Sequence, residues 1–422
     1  MPDLQAPRGM HDLLPDEASL WRFIRDTAER VARLHDYRLI STPIVEDARV
    51  FLRTVGDESD IVQKEMYVFE DRGGERLALA PEGTAAVCRA YIEHGMASWP
   101  QPVRLFYLRP FFRYDRPQAG RYRQLWQFGV ELIGSDAAAA DVEVIELQQS
   151  LYQALGLRDL VLRINSIGTA ETRRRYVAAL REHFSPHLPA LSRDSQRRFE
   201  TNVLRILDSK EEQDREAVAA APSILDHLDE ADAEHFAEVR RLLDELGIDY
   251  VVDPYIVRGL DYYARTVWEF EPPEAGGQST VGAGGRYDGL IELLGGPPTP
   301  ATGFATGIER IALNLRERGL GPAQAESIDV VTVPLGEGGA AAAMRVAREL
   351  RGAGIVVRAG LPGRSMKAAL RGASAVNAAF AVIIGDREAS EGVAQLKPLR
   401  TEGEQLTVPL AELAEAVRGA LA

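Results

Sequence analysis

The chain has 422 residues, 45% of them hydrophobic and 27% charged, and its formal net charge is 49 − 63 = −14. At about 100–200 residues per domain this length predicts two or three domains. No run of about 18 apolar residues is present, which excludes a membrane-spanning helix. The negative charge argues against a sequence-blind nucleic-acid coat but leaves room for a local basic surface. The single cysteine, Cys88, and a start without a secretory signal predict a cytoplasmic protein without disulfides.

Hydrophobic periodicity predicts both helices and strands in the first part of the chain. Helices are predicted over 18–34, 85–94 and 141–155, and strands over 37–44, 103–113 and 125–133. Pro43 interrupts the first of these strands, which indicates either an edge strand or the end of a strand. Residues 66–79 predict a hairpin that turns at 71–74.

The rest of the chain contains a charged helical segment, a glycine-rich β region and a second domain. Residues from about 168 to 248 are helix-forming and highly charged, which predicts an inserted helical module. Strand character returns at 250–257, and glycines are frequent over 276–296. After a linker at 318–324, strands at 328–334, 355–358 and 380–384 alternate with helices at 340–352 and 367–378. This alternation predicts a small α/β domain with a largely parallel core.

An arginine-rich loop separates the two long predicted strands. It carries one acid, Asp115, against five arginines, which are Arg109, Arg113, Arg116, Arg121 and Arg123. On charge alone the loop is equally typical of a solvated hairpin and of a phosphate site, because guanidinium presents a planar fork to phosphate oxygens.

The strand after this loop favours the phosphate site. Its period of two places Gln127, Gly129 and Glu131 on one face. The opposite face is apolar and consists of Trp126, Phe128, Val130 and Leu132. The apolar face is therefore suited to packing in a hydrophobic core. The other face carries an amide and a carboxylate, with a glycine between them that leaves space for a ligand. A half-exposed sheet would show the same alternation.

Two further arginines stand in unusual surroundings. Arg258 is the first residue of the run 258–266, in which ionic groups and tyrosines stand where a core strand would have aliphatic residues. This pattern indicates either a phosphate-binding arginine or an ion-paired strand end. Arg310 lies where the run 303–311 passes from strand to helix, and helix N-terminal amides favour anions. A solvated helix arginine is the alternative there. With Arg113, these residues indicate fixed positive charge around a polyphosphate, and since no Walker-type sequence is present, an ordinary P-loop enzyme is excluded.

Two other patterns carry less weight. The glycines of 282–289 permit close backbone approach, but many hairpins are equally rich in glycine. His183 and His187 have the spacing of a zinc helix, but Pro186 lies between them and would break such a helix. No metal site is predicted.

As a set, these motifs resemble those of the bacterial histidyl-tRNA synthetases, a family of class II aminoacyl-tRNA synthetases, over essentially the whole chain. Residues 8–15 resemble the N-terminal signature, the segment around Pro43 resembles motif 1, 112–131 resembles motif 2, and 303–310 resembles motif 3. The most specific matches are 258–263 and 284–289, which resemble the two histidine-specific motifs.

The resemblance implies an α+β fold with two domains. Residues 1–325 would form a class II catalytic domain on an antiparallel sheet, with the helical insertion at about 168–248, and 326–422 an α/β anticodon-binding domain. It also implies a homodimer whose interface includes motif 1. L-histidine, ATP and tRNA(His) would be the substrates, with Mg²⁺ expected alongside ATP and no membrane partner.

The resemblance further implies roles for individual residues. For the histidine substrate, the group at the α-amino end is matched by Glu82, Gly83, Thr84 and Gln127. The partners of the two imidazole nitrogens are matched by Glu131 and Tyr263. Two further tyrosines, Tyr262 and Tyr287, lie nearby. Arg113 and Arg258 match arginines on the ATP α-phosphate, Arg113 also contacting the substrate carboxylate, while Arg310 matches the γ-phosphate arginine and Arg121 joins the ATP site. Gln118 would approach the tRNA acceptor end.

The implied reaction joins histidine to AMP with release of pyrophosphate, and then transfers the histidyl group to the tRNA 3′ end. One alternative is a catalytically inactive paralogue, such as the regulatory subunit of ATP phosphoribosyltransferase. Such paralogues generally lose the 258–263 motif and the anticodon domain, and this chain keeps both. A class II synthetase for another amino acid conflicts with the pairing of Glu131 and Tyr263.

Overall fold

The polypeptide separates into two units, each with its own hydrophobic core. A computed structural model describes residues 4–53, 65–115, 118, 120–207, 209–256, 262–273, 280–322 and 328–421. The first unit is Met1–Gly321 and the second is Pro322–Ala422. The boundary predicted from the sequence, between 325 and 326, lies four residues later and outside the described residues.

Two sheets form the framework of the first unit. Its strands in chain order are β1 (Arg38–Leu39), β2 (Val45–Asp47), β3 (Tyr67–Glu70), β4 (Arg76–Leu79), β5 (Val103–Phe112), β6 (Gln124–Ile133), β7 (Val161–Ser166), β8 (Val251–Val252), β9 (Ala264–Glu271), β10 (Gly282–Arg286) and β11 (Ala301–Gly307). The large sheet has the order β1-β5-β6-β11-β10-β9-β7-β8, and the small one the order β2-β4-β3.

The first unit also contains helices, which lie before, between and after these strands along the chain. They are α1 (Pro15–Leu34), α2 (Ala48–Leu52), α3 (Thr84–Glu93), α4 (Ala138–Leu155), α5 (Ala170–Phe184), α6 (Arg193–Thr201), α7 (Arg215–Ala219), α8 (Glu230–Glu245), α9 (Leu290–Leu293) and α10 (Ile308–Glu317). Short 3-10 turns occupy Met96–Ser98, Ser185–Ala190, Val203–Ile206, Glu212–Asp214 and Ile224–His227.

Antiparallel pairing dominates the large sheet. The six inner strands pair antiparallel, whereas the two-residue strands β1 and β8 add parallel to its two edges. The edge position, one of the two alternatives that Pro43 indicated, is confirmed for β1. Strand β7 was not predicted, and the strand predicted over 250–257 shrinks to β8 among the described residues.

Helices cover one face of the large sheet. Phe128, Val130 and Leu132 of β6 are buried there in one cluster with Ile24 of α1 and Ile311 of α10. This is the face that the alternation in β6 predicted to be apolar. Burial of such side chains contributes roughly 1.5–3 kcal/mol each to folding, which fixes the register of β6 and the direction of its polar side chains.

The opposite face of β5 and β6 supports a second buried cluster. Tyr107 and Phe111 of β5 lie there with Ala78 of β4 and Cys88 of α3. Tyr287, which follows β10, belongs to the same cluster. The small sheet and α3 therefore cover only part of this face, and a cavity opens beside them.

The segment between β7 and β8 is largely helical, as predicted. Tyr176, Leu180 and Phe184 of α5 form a separate buried cluster with Ile206 and Ile224. Because this cluster is distinct from the sheet clusters, the segment has a small core of its own.

The second unit is a five-stranded sheet with helices. Its elements are β12 (Val330–Pro334), α11 (Gly336–Gly352), β13 (Val357–Arg358), α12 (Met366–Ala375), β14 (Phe380–Ile384), α13 (Asp386–Glu391), β15 (Val393–Pro398), β16 (Leu406–Pro409) and α14 (Leu413–Leu421). Strands β13, β12 and β14 are parallel, as predicted, whereas β15 and β16 add antiparallel and were not predicted. In the described part of the chain no helix combines the length and apolarity needed to cross a bilayer.

Candidate active site

A cavity of about 440 Å³ opens on the face of the large sheet that carries Tyr107. Ten residues predicted to form the site line it, namely Glu82, Gly83, Thr84, Arg113, Arg121, Gln127, Tyr262, Tyr263, Tyr287 and Arg310. They come from five separate stretches of the sequence. Periodicity places each side chain on a face of its own strand or helix, and the fold brings these faces together at one cavity.

A buried carboxylate lies behind one end of this cavity. Glu131 on β6 is fully buried, and its Oε1 accepts a hydrogen bond of 2.8 Å from the Thr84 hydroxyl. The Tyr287 hydroxyl donates to its Oε2. Burial raises the pKa of Glu131 to about 8, despite these two hydrogen bonds to the carboxylate. Glu131 thus contacts the lining residues and does not itself line the cavity.

A second buried carboxylate caps the start of α3. The backbone N–H of Thr84 donates to Glu82 Oε2 at 2.6 Å, and that of Ala85 donates to Oε1 at 2.9 Å. These are N–H groups of a first helical turn, which have no partner within the helix. Burial raises the pKa of Glu82 above its usual value. The cap therefore fixes the position of Gly83 and Thr84 at the cavity wall.

Tyr107 was missed by the sequence analysis although it lines the cavity. The Tyr107 ring packs directly against the backbone of two glycines. A Cβ atom at Gly83 would lie 2.3 Å from the ring, and a Cβ atom at Gly129 would lie 2.4 Å from it. Only glycine fits at these positions, which explains the gap that Gly129 makes in the polar face of β6. Period two along β5 places Tyr107 on the face of Arg113, and that signal could have found it.

Gln127 supplies an unsatisfied polar atom. Its Oε1 is buried and accepts no hydrogen bond from any described residue. An unpaired buried acceptor costs about 1–3 kcal/mol. Because Gln127 also lines the cavity, a bound ligand with an N–H group would satisfy it.

Arginines concentrate at the other end of the cavity. Arg113 donates from Nε to the Pro81 carbonyl at 2.8 Å, and Arg310 donates from Nη1 to the Thr280 carbonyl. Burial lowers the pKa of Arg310 below its ordinary value, and the positive charges of Arg121 and Arg113 lower it further. Like charges held this close are typical of an anion site.

Among the described residues, Gln118, like Glu131, was predicted to belong to the site but does not line this cavity. Gln118 is exposed, and its backbone exchanges two hydrogen bonds with Arg121, of 3.1 and 2.9 Å. Arg258 lies outside the described residues.

The structure adds residues that the sequence analysis did not single out. Glu309 accepts hydrogen bonds of 2.9 and 3.1 Å from the backbone N–H of Trp126, just beyond the point where β11 ends its pairing with β6. Burial raises the pKa of Glu309 to about 7. Asn202 and Arg205 reach the cavity from the helical segment. No local pattern marks the last two, because only the packing of that segment brings them to the cavity.

An antiparallel-rich sheet with such a cavity, followed by a separate α/β unit, is the architecture of a class II aminoacyl-tRNA synthetase. The profile of the family described as histidyl-tRNA synthetase matches residues 9–311, and that of the anticodon-binding domain matches 329–419. The chain belongs to the histidyl-tRNA synthetase family.

Individual relatives agree over nearly the full length. The histidine–tRNA ligase of Dehalococcoides mccartyi strain 195 is 47% identical over 409 residues, which cover 97% of this chain and 98% of the relative. That of Geobacillus thermodenitrificans is 47% identical over 413 residues, 97% of each chain. The structure of apo S. aureus histidyl-tRNA synthetase superposes with a TM-score of 0.81 at 37% identity, covering 98% of this chain and 100% of the other.

One solved structure shares only the fold. A Bacillus halodurans protein described as an ATP phosphoribosyltransferase regulatory subunit/histidyl-tRNA synthetase has a TM-score of 0.66 at 23% identity, and the match covers 91% of this chain and 99% of the other.

Proposed function

We propose that the cavity of the first unit binds L-histidine and ATP, forms histidyl-adenylate, and passes the histidyl group to tRNA(His). The observation that carries this proposal is that one cavity is lined by a cluster of guanidinium groups and, elsewhere on its wall, by Tyr287, which hydrogen-bonds a buried carboxylate directly behind it. A polyphosphate needs the first feature, and an imidazole ring with two nitrogens needs the second.

The histidine would lie at the end of the cavity near Glu131. Its α-amino group donates to Gln127, whose Oε1 is otherwise unpaired, and to the wall that Glu82, Gly83 and Thr84 form. One imidazole nitrogen would pair with Glu131, which lies directly behind the Thr84 and Tyr287 hydroxyls at the cavity wall, so these hydroxyls would move aside to admit it. The other nitrogen would pair with Tyr263, while Tyr262 and Tyr287 enclose the ring. A side chain that cannot make both bonds leaves buried polar groups unpaired, and such a site rejects analogues by about 10⁴–10⁵ without editing.

The nucleotide would lie against the arginines, entering as its Mg²⁺ complex. Arg113 and Arg258 hold the α-phosphate, while Arg121 and Arg310 hold the β- and γ-phosphates. The histidine carboxylate attacks the α-phosphorus, the bond to the bridging oxygen breaks, and pyrophosphate leaves with its charge. Positioned positive charge supplies most of the catalysis in such a transfer, because little covalent help from the protein is required.

Transfer to tRNA would use both units. Gln118 is exposed on the arginine-rich loop, a position suited to the acceptor end of the tRNA. Residues 326–422 would bind the anticodon, and 1–325 would carry catalysis, in the cytoplasm. The match of 329–419 to an anticodon-binding profile supports this division.

A second copy of the chain would complete the enzyme as a homodimer. The small sheet exposes the apolar side chains of Ile44, Val45, Val68 and Phe69, which are 38–42% accessible. Nearby, Arg109 is buried and donates to Thr42, yet its Nε and Nη2 have no hydrogen-bond partner among the described residues. These two nitrogens are already inaccessible within one chain, so a partner subunit on this face would bury the exposed apolar side chains and would not contact the two nitrogens.

ATP–pyrophosphate exchange, run with each amino acid in turn, tests this function. We expect exchange with histidine alone. Arg113→Ala should reduce it by more than about 10²-fold, the effect of losing one charge donor at a developing charge. Arg104→Ala is the matched control, because Arg104 lies on β5, the strand that leads to Arg113, but pairs with Glu143 at 2.7 Å outside the cavity. Exchange with another amino acid, or none with any, contradicts the proposal, and the second result would favour an inactive regulatory paralogue.

A further inference from the structure

Residues 7–13, here called the N-terminal strap, include most of the 8–15 signature, to which the proposed function assigns no role. The strap lies against residues 120–123 of the arginine-rich loop. It precedes α1 and makes a tight turn in which the N–H of Met10 donates to the Pro7 carbonyl at 2.9 Å. The strap is thus an ordered segment laid over one wall of the candidate active site.

The first contact is a backbone hydrogen bond. The N–H of Arg123 donates to the Gly9 carbonyl at 2.7 Å, while the carbonyl of Arg123 accepts from the N–H of Arg113 at 2.9 Å. Gly9 is buried and has a φ of +83°, a conformation that residues with a Cβ rarely adopt. The direction of its carbonyl therefore depends on glycine, and residue 123 is held from both sides.

The second contact is between aromatic rings. His11 meets Tyr122 edge to face, with the ring centroids 4.9 Å apart and the planes at 82°. Tyr122 lines the candidate active site, so the strap contacts the outer side of a residue whose inner side faces the nucleotide.

The neighbouring loop residues contact the residues assigned to ATP. The carbonyl of Gly120 accepts from Arg310 Nε at 3.4 Å, and Arg121 lies 3.6 Å from Asp115. A shift of Tyr122 and Arg123 therefore displaces Arg121 and the carbonyl that orients Arg310. Positioning errors near 1 Å are costly in enzymes that act by orienting charged groups.

The loop needs outside support because it separates two cavities. A second cavity, of about 380 Å³, lies on its far side and is bordered by His11 and Trp126. Gly120, Tyr122 and Glu309 line both cavities. At these points a single layer of residues separates the two cavities. The loop is therefore not held in place there by a hydrophobic core on either side.

We propose that Gly9 and His11 are positioning residues for ATP, because they hold the loop so that Arg121 and Arg310 meet the β- and γ-phosphates. This role rests on the proposed function. It predicts a specific signature: loss of the strap contacts weakens ATP binding and leaves histidine binding unchanged. Of the described residues assigned to histidine, only Arg113 is linked to the strap, through Arg123, and its guanidinium is held independently by the Pro81 carbonyl at 2.8 Å.

Steady-state exchange kinetics on the full chain test the role of His11. His11→Ala should raise the KM for ATP by about 3- to 10-fold, the range expected when one aromatic pair is lost. The KM for histidine and the melting temperature should stay unchanged. His11→Phe keeps a ring at this position and should restore the KM for ATP. His94→Ala is the control, since His94 is an exposed histidine at the end of α3.

Two glycine variants provide an independent test. Gly9→Ala should raise the KM for ATP in the same way, whereas Gly9→Asn should be milder because asparagine tolerates the left-handed backbone region. An unaltered KM for ATP in both His11→Ala and Gly9→Ala overturns the positioning role, as does an equal rise in both KM values. Absence of histidine-dependent exchange in the unaltered chain instead contradicts the proposed function.

Discussion

At the scale of single residues, the most informative group is Glu131. Its carboxyl is fully buried, and burial outweighs the hydrogen bonds from Thr84 and Tyr287 in setting its pKa at about 8. In the proposed function this acid binds a ring nitrogen, and its burial is a cost to the stability of the fold. Such costs are common where binding requires an unfavourable group.

Glu131 should make the stability of the chain depend on pH. In the unfolded chain it ionises near pH 4.5, whereas in the folded chain it keeps its proton up to about pH 8. Between these values the unfolded state releases a proton that the folded state retains, so the free energy of unfolding falls as pH rises, by on the order of a few kcal/mol.

Glu131→Gln removes this titration. The melting temperature of the variant should therefore fall less than that of the unaltered chain between about pH 5 and about pH 8.5, while histidine-dependent exchange is lost. Thermal unfolding across this range checks the prediction. Parallel pH profiles for the two proteins would show that Glu131 ionises normally in the folded state.

At the scale of elements, one buried acid joins four of them. Asp141 of α4 accepts from Arg286 of β10 at 3.0 Å, from Thr266 of β9 at 2.7 Å, and lies 2.7 Å from the ring of His235 on α8. Arg286 is itself fully buried and also pairs with Asp288 at 2.9 Å. The helical segment is thereby attached to the sheet close to the tyrosines of the candidate active site.

Asp141→Ala should destabilise the chain strongly. It leaves the Arg286 guanidinium buried with one acidic partner fewer, and breaking a buried pair in this way costs about 3–5 kcal/mol. Chemical denaturation measures the loss. Asp194→Ala is the control, because its pair with Arg197 is 65–73% accessible and should contribute little. A comparable loss in both variants would disprove the importance of the buried network.

At the scale of the whole molecule, the small sheet is the surface most in need of a partner. It carries exposed apolar side chains beside the incompletely paired Arg109. Because Ala78 of the small sheet packs in one buried cluster with Tyr107 and Tyr287, the proposed partner subunit would also stabilise the candidate active site.

Phe69→Asp should convert the proposed dimer to a monomer and reduce exchange, because it adds a charge to the apolar face. Light scattering gives the mass and the exchange assay gives the activity. Leu246→Asp places the same charge on another exposed apolar position, at the end of α8, and should change neither. A Phe69→Asp chain with the mass of the unaltered protein would exclude this face as the interface.

Much of the framework could be predicted from local pattern. The long strands β5 and β6, the helices α1, α3 and α4, and the apolar face of β6 follow from periodicities of a few residues. Strand β7 was missed because it pairs with β9, about 100 residues further along the chain. Strands β15 and β16 were missed because no helix separates them, whereas the prediction relied on alternation.

The amino-acid sequence by itself determined the family, the polar face of β6 and the identity of the arginines and tyrosines, because motifs and strand faces are local properties. Only the tertiary structure decided that Tyr287 reaches Glu131 across 156 residues, that Asn202 and Arg205 line the same cavity, and that the N-terminal strap lies against the loop. These contacts depend on how distant segments bury their apolar faces against one another. The periodicity of one segment shows which of its faces is apolar, but it does not show which other segment packs against that face.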